Sequence, residues 1–377
     1  MNAFATIIAE NKTAMDKNLN INDLTSSNFL TAGGLLQTAP DQFILLLGAR
    51  TPVFNASSSD SHQLFVYSPQ FWDFLREGSQ AQSGLFQVEK TLQLSRKELS
   101  DYLEKFVLAK PTALTLANDH FHDFEAQFAW SQKNFREKHL LKTVPATKFE
   151  FLIKEKFNFA YQLYLSLQKN RPGFIYGLWD EAGGFLGLTP EILAAWNGKK
   201  LSTMALAGTW SNNHGFEHVS EVDMKTREEH EFVINDIRER LGQISVGNTE
   251  IYKLPTLSHL KTEIAQECLT QKDFLSAIQK LHPTAALGIY PRKLDLAEEF
   301  SKFTVQQQRG FFGAPFGVIG HDSGHIIVGI RGIIWNKTTV NLFVGCGVTA
   351  QSEASSEWQE LQTKKKAICE AFSLQIL

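Results

Sequence analysis

The feature that most limits what this chain can become is the close succession of short strand-like runs in two regions. Gly173 to Trp179, Ile192 to Trp196 and Leu201 to Leu206 are linked through the Gly183-Gly184 and Asn197-Gly198 turn signals. The C-terminal third repeats the theme with Ala314 to Ile319, Ile326 to Trp335 and Val340 to Val344, separated by DSG and NKTT. Adjacent strands with tight turns pair antiparallel. Thr226 to Leu241 has helical periodicity with Val233, Ile237 and Leu241 on one stripe, and Phe274 to Leu281 is a shorter helix of the same kind. Large antiparallel sheets flanked by helices make an α+β fold.

The earlier part of the chain is scaffold. Gln42 to Leu47 and Gln63 to Tyr67 read as strands, punctuated by SSSDS and EGSQAQSG. Ser95, with Glu98 after it, is the N-cap of a helix predicted to run to about Leu108, with Leu99, Leu103 and Phe106 inward and Asp101 and Glu104 exposed. A polar and aromatic loop is expected around Asn118 to Phe124. The segment FREKHLLKTVPATKF follows from Phe135; in it Lys138 enters a short apolar stretch that stops before Pro145. A helix is then predicted from about Phe149 to Gln168. A soft boundary divides the chain into residues 1–120, scaffold of the same fold, and residues 121–377, which carry the chemistry.

Composition excludes several function classes. With 377 residues and 43% hydrophobic content the chain can bury a sizeable core, and a net charge of −3 without long basic runs argues against a nucleic-acid or polybasic membrane partner. The opening MNAFATIIAENKTAM lacks a basic n-region and meets Glu10 early, so it does not read as a secretory signal. No apolar segment is long enough to span a bilayer. Cys268, Cys346 and Cys369 are odd in number, scattered and not spaced as metal ligands. They suit a reducing compartment, and a cytoplasmic location is expected.

The chemistry concentrates near the C-terminus, where a strand-like run delivers Gly345-Cys346-Gly347 into a helix. That helix keeps Leu361, Ile368 and Phe372 on one face, yet Glu357, Glu360 and Lys364 fall on or beside the same stripe. Buried charge needs a partner or a metal, so this placement suggests a site. Read alone, an amphipathic helix with marginal salt bridges would account for it. Glu229 shares the buried face of its own helix; with Glu360 it can supply hard oxygen ligands for Mg²⁺, or it can simply complement the helix dipole. Gly345 to Ala350 mimics a dinucleotide fingerprint, but too little chain follows for a βαβ unit; an anion at glycine-exposed N–H groups remains possible. His214-Gly215-Phe216-Glu217-His218 matches a zinc pattern that requires a helix, whereas these residues read as a turn. His259 and His282 read as satisfied core histidines. Arg331 lies inside an apolar strand-like run and wants a carboxylate partner, from the protein or a substrate.

Taken together these segments resemble the chorismate-utilising enzymes, the family of isochorismate, anthranilate, aminodeoxychorismate and salicylate synthases. FLGLTPEIL, ALAGT, KTREEHEFVINDI, LSHL, LHPTAAL and GCGVTAQSEASSEWQELQTKK carry the resemblance, in that order within the stretch from about Phe135 to the C-terminus. The resemblance implies two large antiparallel sheets flanked by helices, with the site in a cleft between them. It places Glu229 and Glu360 on Mg²⁺, with Glu357 beside them. Arg331, the Gly345 to Gly347 backbone, Lys364, Thr209, His259 and Phe312 fall at the substrate. It makes Lys138 the base that activates water for attack at ring carbon 2, and Glu191 the acid that protonates the departing 4-hydroxyl. KHLLKT resembles the KVVLxR segment of the isochorismate synthases, so chorismate to isochorismate is the expected reaction, feeding menaquinone or a catechol siderophore. The alternatives are another synthase of the family, with a separate glutaminase subunit if it aminates, and a chorismate-binding homologue without turnover. Ile289, Tyr290 and Phe312 depart from the family pattern and are expected to reshape the substrate pocket.

Overall fold

The computed structural model describes Leu24 and residues 29–53, 64–75, 84–106, 111–169 and 171–377, apart from the His214 side chain. The opening MNAFATIIAENKTAM, the SSSDS segment and all but Gly84 of EGSQAQSG lie outside the described residues. The strands are β1 (Gly33–Ala39), β2 (Gln42–Pro52), β3 (Phe65–Tyr67), β4 (Leu85–Ser95), β5 (Ala113–Asn118), β6 (Ala146–Leu152), β7 (Phe174–Asp180), β8 (Gly183–Thr189), β9 (Ile192–Trp196), β10 (Lys200–Ser211), β11 (Ser245–Lys253), β12 (Leu257–Glu267), β13 (Pro315–Ile319), β14 (Gly324–Val328), β15 (Gly332–Asn336), β16 (Thr339–Gly345) and β17 (Gln375–Ile376). The helices are α1 (Arg96–Glu104), α2 (Phe121–Arg136), α3 (Phe159–Gln168), α4 (Met224–Leu241), α5 (Gln271–Leu281), α6 (Leu294–Ser301), α7 (Thr304–Gln307) and α8 (Ala354–Ala371).

Hydrogen bonds join the described strands into one continuous path, in the order β17, β5, β6, β16, β15, β8, β7, β1, β2, β4, β3, β13, β14, β9, β10, β12, β11. Every pairing is antiparallel except the short β17–β5 contact at the C-terminus. The path folds back on itself, and its two halves face each other as the two sheets expected from sequence. Strand alternation makes this legible residue by residue. Leu36, Ile44 and Leu46 point inward and share a cluster with Tyr176, Phe316 and Ile327 of both halves. Their neighbours Leu35 and Leu45 point outward, under α1, α3 and α8, while Ile326 and Val328 point outward under α4 and α5. The result is four layers, helix, sheet, sheet and helix. Strands from before residue 120 are woven into the path, since β1 pairs with β7 and β3 with β13.

Local chemistry sets several boundaries. Ser95 accepts from the Glu98 amide and Glu98 answers to the Ser95 amide, the capping box expected at α1. The described helix ends at Glu104, and Phe106 is 46% exposed rather than inward. The side chain of Asp223 caps α4 by accepting from Thr226 N–H, and Gly242 at φ +79 ends it. Val233, Ile234 and Ile237 of α4 are buried against the β9–β10 side. Truncating Ile237 to alanine there would cost about 2–5 kcal/mol.

Further stretches differ from the sequence reading, and Gly183-Gly184, read as a turn, opens strand β8. The expected loop at Asn118 to Phe124 instead contains the start of α2, whose aromatic and amide residues pack Phe124, Gln127 and Phe135 inward. The helix expected from Phe149 begins only at Phe159, because Lys148 to Phe151 form β6 against β16 and Asn158 provides the helix cap. The single strand expected over Ile326 to Trp335 is two, β14 and β15, broken where Arg331 takes φ +55.

Candidate active site

Between the two halves of the strand path, where β9, β10 and β12 face β16, α4 and α8, lies a cleft. Glu191, Thr209, Glu229, His259, Phe312, Arg331, Gly345, Gly347 and Lys364 line it. Residues separated by much of the chain thus meet in one place. Glu191 sits in the turn from β8 to β9, fixed by the bond of its N–H to Thr189 Oγ1 (3.2 Å) and by its carbonyl accepting from Val328 N–H (3.0 Å). Its side chain is buried, and desolvation raises its carboxyl to about 7 against the opposing pull of Lys142, Arg331 and Lys364.

The strand break at Arg331 directs its guanidinium into the cleft, where Nη2 lies 3.2 Å from His259 Nε2. Arg331 is always a donor, so His259 Nε2 accepts and His259 Nδ1–H donates to Thr209 Oγ1 at 3.1 Å. Burial, with Arg331 and Lys364 close by, holds the His259 imidazole well below its usual range and keeps it neutral. Burial also lowers Arg331 to about 10, partly offset by Glu360 and Glu191. It remains a cation at neutral pH, and among the described residues no carboxylate is hydrogen-bonded to it.

On the opposite wall, Lys364 Nζ donates to Gly345 O and pairs with Glu360 Oε1, both at 2.7 Å. Cys346 N–H is engaged by Pro145 O, so the glycine turn spends part of its backbone on the protein itself. Gly347 contributes space: a Cβ there would stand 1.9 Å from Glu229 Oε1. Glu357 is 3% exposed and bonded to Lys225 Nζ at 2.6 Å. Desolvation and the neighbouring Glu360 raise its carboxyl, opposed by Lys225.

Lys138 is outside this site. It follows the end of α2, exposed, at φ +58, with its amide bonded to Phe135 O. In that position it closes the helix that the sequence reading lacked. The lysine buried behind the cleft, against its lining residue Glu229, is Lys142, four residues on. Short β-bridges from Lys142 to Tyr290 and from Thr143 to Val348 carry it inward. Its side chain is 0% exposed, with Nζ 2.6 Å from Ala285 O and 3.4 Å from Glu229 Oε1. Burial lowers its pKa, with Glu229 and Glu191 opposing. A lysine two residues before Val144 and three before Pro145, in a stretch too apolar for a surface, was the signal available in the sequence. Lys225, one turn before Glu229, was likewise missed.

Ile289 and Tyr290 do not reach the cleft. Ile289 packs in the core cluster beneath α6, and Tyr290 donates its hydroxyl to Glu239 Oε1 at 2.8 Å. Of the three departures, Phe312 alone lines the cleft, stacked on Phe343 with ring centres 5.7 Å apart. Asn212 to His214 form a 3-10 turn ended by Gly215 at φ +68, and Glu217 pairs with Lys253 at 2.9 Å, so the zinc-like pattern lacks its helix. His282 is a core histidine, as expected, with Nε2 against Phe71 O at 2.8 Å.

Among the described residues no group of three or more His, Cys, Asp or Glu side chains is arranged as a metal cage by itself. Mg²⁺ does not ask for one, since it takes one or two carboxylates and leaves its remaining positions to water and substrate. Glu229 stands over Gly347 and beside Lys142, and Glu360 on α8 is paired with Lys364.

A buried cleft with cations on several walls and carboxylates beside them defines an enzyme-like site for a small anionic substrate. Residues 74–373 match the family described as Chorismate binding enzyme, and the chain belongs to that family. Its curated relatives include isochorismate synthase MenF of Bacillus subtilis, 29% identical over 220 residues, covering 54% of this chain and 46% of that one. MenF of Haemophilus influenzae is 28% identical over 248 residues, 62% of this chain and 56% of its own. The chain thus spans about half the length of these relatives. The fold is also that of MenF, the menaquinone-specific isochorismate synthase of Escherichia coli: TM-score 0.73, 20% identity, covering 95% of this chain and 92% of that one.

Proposed function

We propose that this protein isomerises chorismate to isochorismate with the help of Mg²⁺, with Lys142 as base and Glu191 as acid. The observation that carries this reading is the placement of two deeply buried ionisable groups, Lys142 and Glu191, about a cleft that also holds Arg331 and Lys364. In the reaction, water bonds to ring carbon 2, the ring double bonds shift, and the C4–O bond breaks, so one water enters and one leaves. Water is a poor nucleophile without a base, and hydroxide a poor leaving group without a proton. Lys142 suits the first task because burial favours its neutral amine. Glu191 suits the second because a carboxyl raised to about 7 keeps a proton available near neutral pH.

Arg331 and Lys364 would take the substrate's carboxylates, with His259 and Thr209 orienting the guanidinium. Glu229 and Glu360 would hold Mg²⁺, which supplies positive charge to the ring carboxylate when bound. Charge balance supports a metal and dianion together. With Lys142 neutral and Glu191 protonated, the cleft and its margin hold the cations Lys225, Arg331 and Lys364 against the carboxylates Glu229, Glu357 and Glu360. A dication and a dianion entering together leave that balance unchanged. The unpaired Cys268, Cys346 and Cys369 support a reducing compartment such as the cytoplasm. No helix among the described residues is long and apolar enough to cross a membrane.

The test is product identification after incubation with chorismate and Mg²⁺, with and without ammonia. Isochorismate in both conditions is the expected result. Anthranilate, aminodeoxychorismate or salicylate as the main product would replace this reading with another synthase of the family, and unchanged chorismate would reduce it to a binding protein.

A further inference from the structure

Two turns beyond Glu229, on the same face of α4, lies a buried charge with no place in the reaction above. Asp236 is 0% exposed. Its Oδ1 and Oδ2 accept from Arg292 Nε and Nη2 at 2.7 Å each, a two-pronged pair. Oδ2 also accepts from the backbone N–H of Ala285 at 2.8 Å. The carbonyl of that same residue, Ala285, is the acceptor for Lys142 Nζ at 2.6 Å. A single residue therefore has its amide held by Asp236 and its carbonyl held by the lysine.

The loop from Ala285 to Arg292 grips Lys142 a second time, through its main chain. Lys142 N–H donates to Tyr290 O (3.1 Å), and Tyr290 N–H donates to Lys142 O (2.8 Å). This second grip is also tied to α4, through the Tyr290 hydroxyl on Glu239 Oε1. Helix α4 thus offers Glu229 to the lysine directly and anchors, through Asp236 and Glu239, the loop that fixes it from the other side. A hydrophobic pair would fill the space of Asp236 and Arg292 without the desolvation cost of two buried charges. What the charged pair adds is a fixed direction for the Ala285 peptide.

We propose that Asp236 is a positioning residue for Lys142, acting through the Ala285 peptide, with Arg292 holding its carboxylate in register. This rests on the reading of Lys142 as the base. A misplacement of about 1 Å at a reacting group can cost about 10²-fold in rate. Asp236→Asn should lose the two-pronged hold of Arg292 and lower kcat by about that factor, with KM for chorismate unchanged. Because a lone buried Arg292 could unfold the chain, the apolar pair Asp236→Val with Arg292→Met provides the second variant.

The deciding measurement repeats both changes in the Lys142→Ala background, using the full chain with chorismate and Mg²⁺. If Asp236 acts through the lysine, its loss causes no further fall in the residual rate, whereas independent effects multiply. An equal fractional loss in both backgrounds, or a KM that rises in step with the fall in rate, would overturn the inference while leaving the proposed reaction standing. A wild-type rate in the apolar pair would overturn it too. If instead the unaltered protein makes no isochorismate, or Lys142→Ala is fully active, the underlying reading fails and this inference fails with it.

Discussion

Replacing Glu191 with glutamine separates stability from activity in a way the geometry makes quantitative. The carboxyl is buried in the folded chain and raised from its ordinary 4.5 to about 7, so the fold prefers its neutral form. The sign follows from linkage: a group whose folded pKa is raised contributes stability that is fully present below the unfolded pKa and is lost as pH rises through the folded one. At about 1.4 kcal/mol per pH unit, the interval from 4.5 to about 7 amounts to about 3 kcal/mol. Glutamine is a neutral mimic of the protonated acid and does not titrate. Urea unfolding of wild type and Glu191→Gln from about pH 4 to pH 8.5 should therefore give curves that diverge, with the variant gaining about 3 kcal/mol relative to wild type by the alkaline end. The same variant should lose about 10²–10⁴-fold in turnover, because the amide cannot protonate the leaving oxygen. Curves that stay parallel across this range would refute the argument that burial dominates the Glu191 environment.

Other expected outcomes follow from the same geometry. Lys142→Ala should lose about 10²–10⁴-fold in kcat with chorismate affinity retained, while Lys138→Ala should keep the wild-type rate; steady-state kinetics with calorimetric binding checks both. Glu229→Gln and Glu360→Gln should each abolish the Mg²⁺ dependence of chorismate binding and leave the far-UV circular dichroism unchanged; unaltered Mg²⁺-linked affinity in both would move the metal elsewhere. Arg331→Gln should weaken chorismate binding by about 10- to 150-fold, the equivalent of about 1.5–3 kcal/mol for a hydrogen bond to a charged group, as read by titration calorimetry.

How much of this was legible in the sequence depended on whether a residue's neighbours in the chain are also its neighbours in space. Glu229, Glu357, Glu360 and Lys364 were legible because helical spacing put charge on stripes that should be apolar. Arg331 stood out as a charge within an apolar run, although the break that turns it into the cleft did not, because a single left-handed residue leaves no periodic trace. The resemblance of KHLLKT to the KVVLxR segment points to Lys138 as the base and leaves Lys142 out of account. The polar and aromatic residues of α2 conceal a helix that packs Gln127, Ser131 and Asn134 inward, and without that helix nothing in the local sequence showed that Lys138 follows its end at the surface. Phe149 and Phe151 alternate toward the core on β6, but Phe149, Leu152, Ile153 and Phe157 also fall at helical spacing leading into α3, so periodicity alone merged the two. Ile289 and Tyr290 were placed at the pocket by resemblance. Which wall of a loop faces the substrate is set by contacts such as Tyr290 with Glu239, which spacing does not encode.

The central claim is that this cleft adds solvent water to one ring carbon while expelling a hydroxyl from another. The most direct measurement is mass spectrometry of the product formed from unlabelled chorismate in H₂¹⁸O with Mg²⁺ and no ammonia. The account predicts isochorismate carrying a single ¹⁸O, located in the hydroxyl on ring carbon 2. Unlabelled isochorismate would mean that the hydroxyl migrates without solvent entering, and would contradict Lys142 as the base for water and Glu191 as the acid for the leaving hydroxyl.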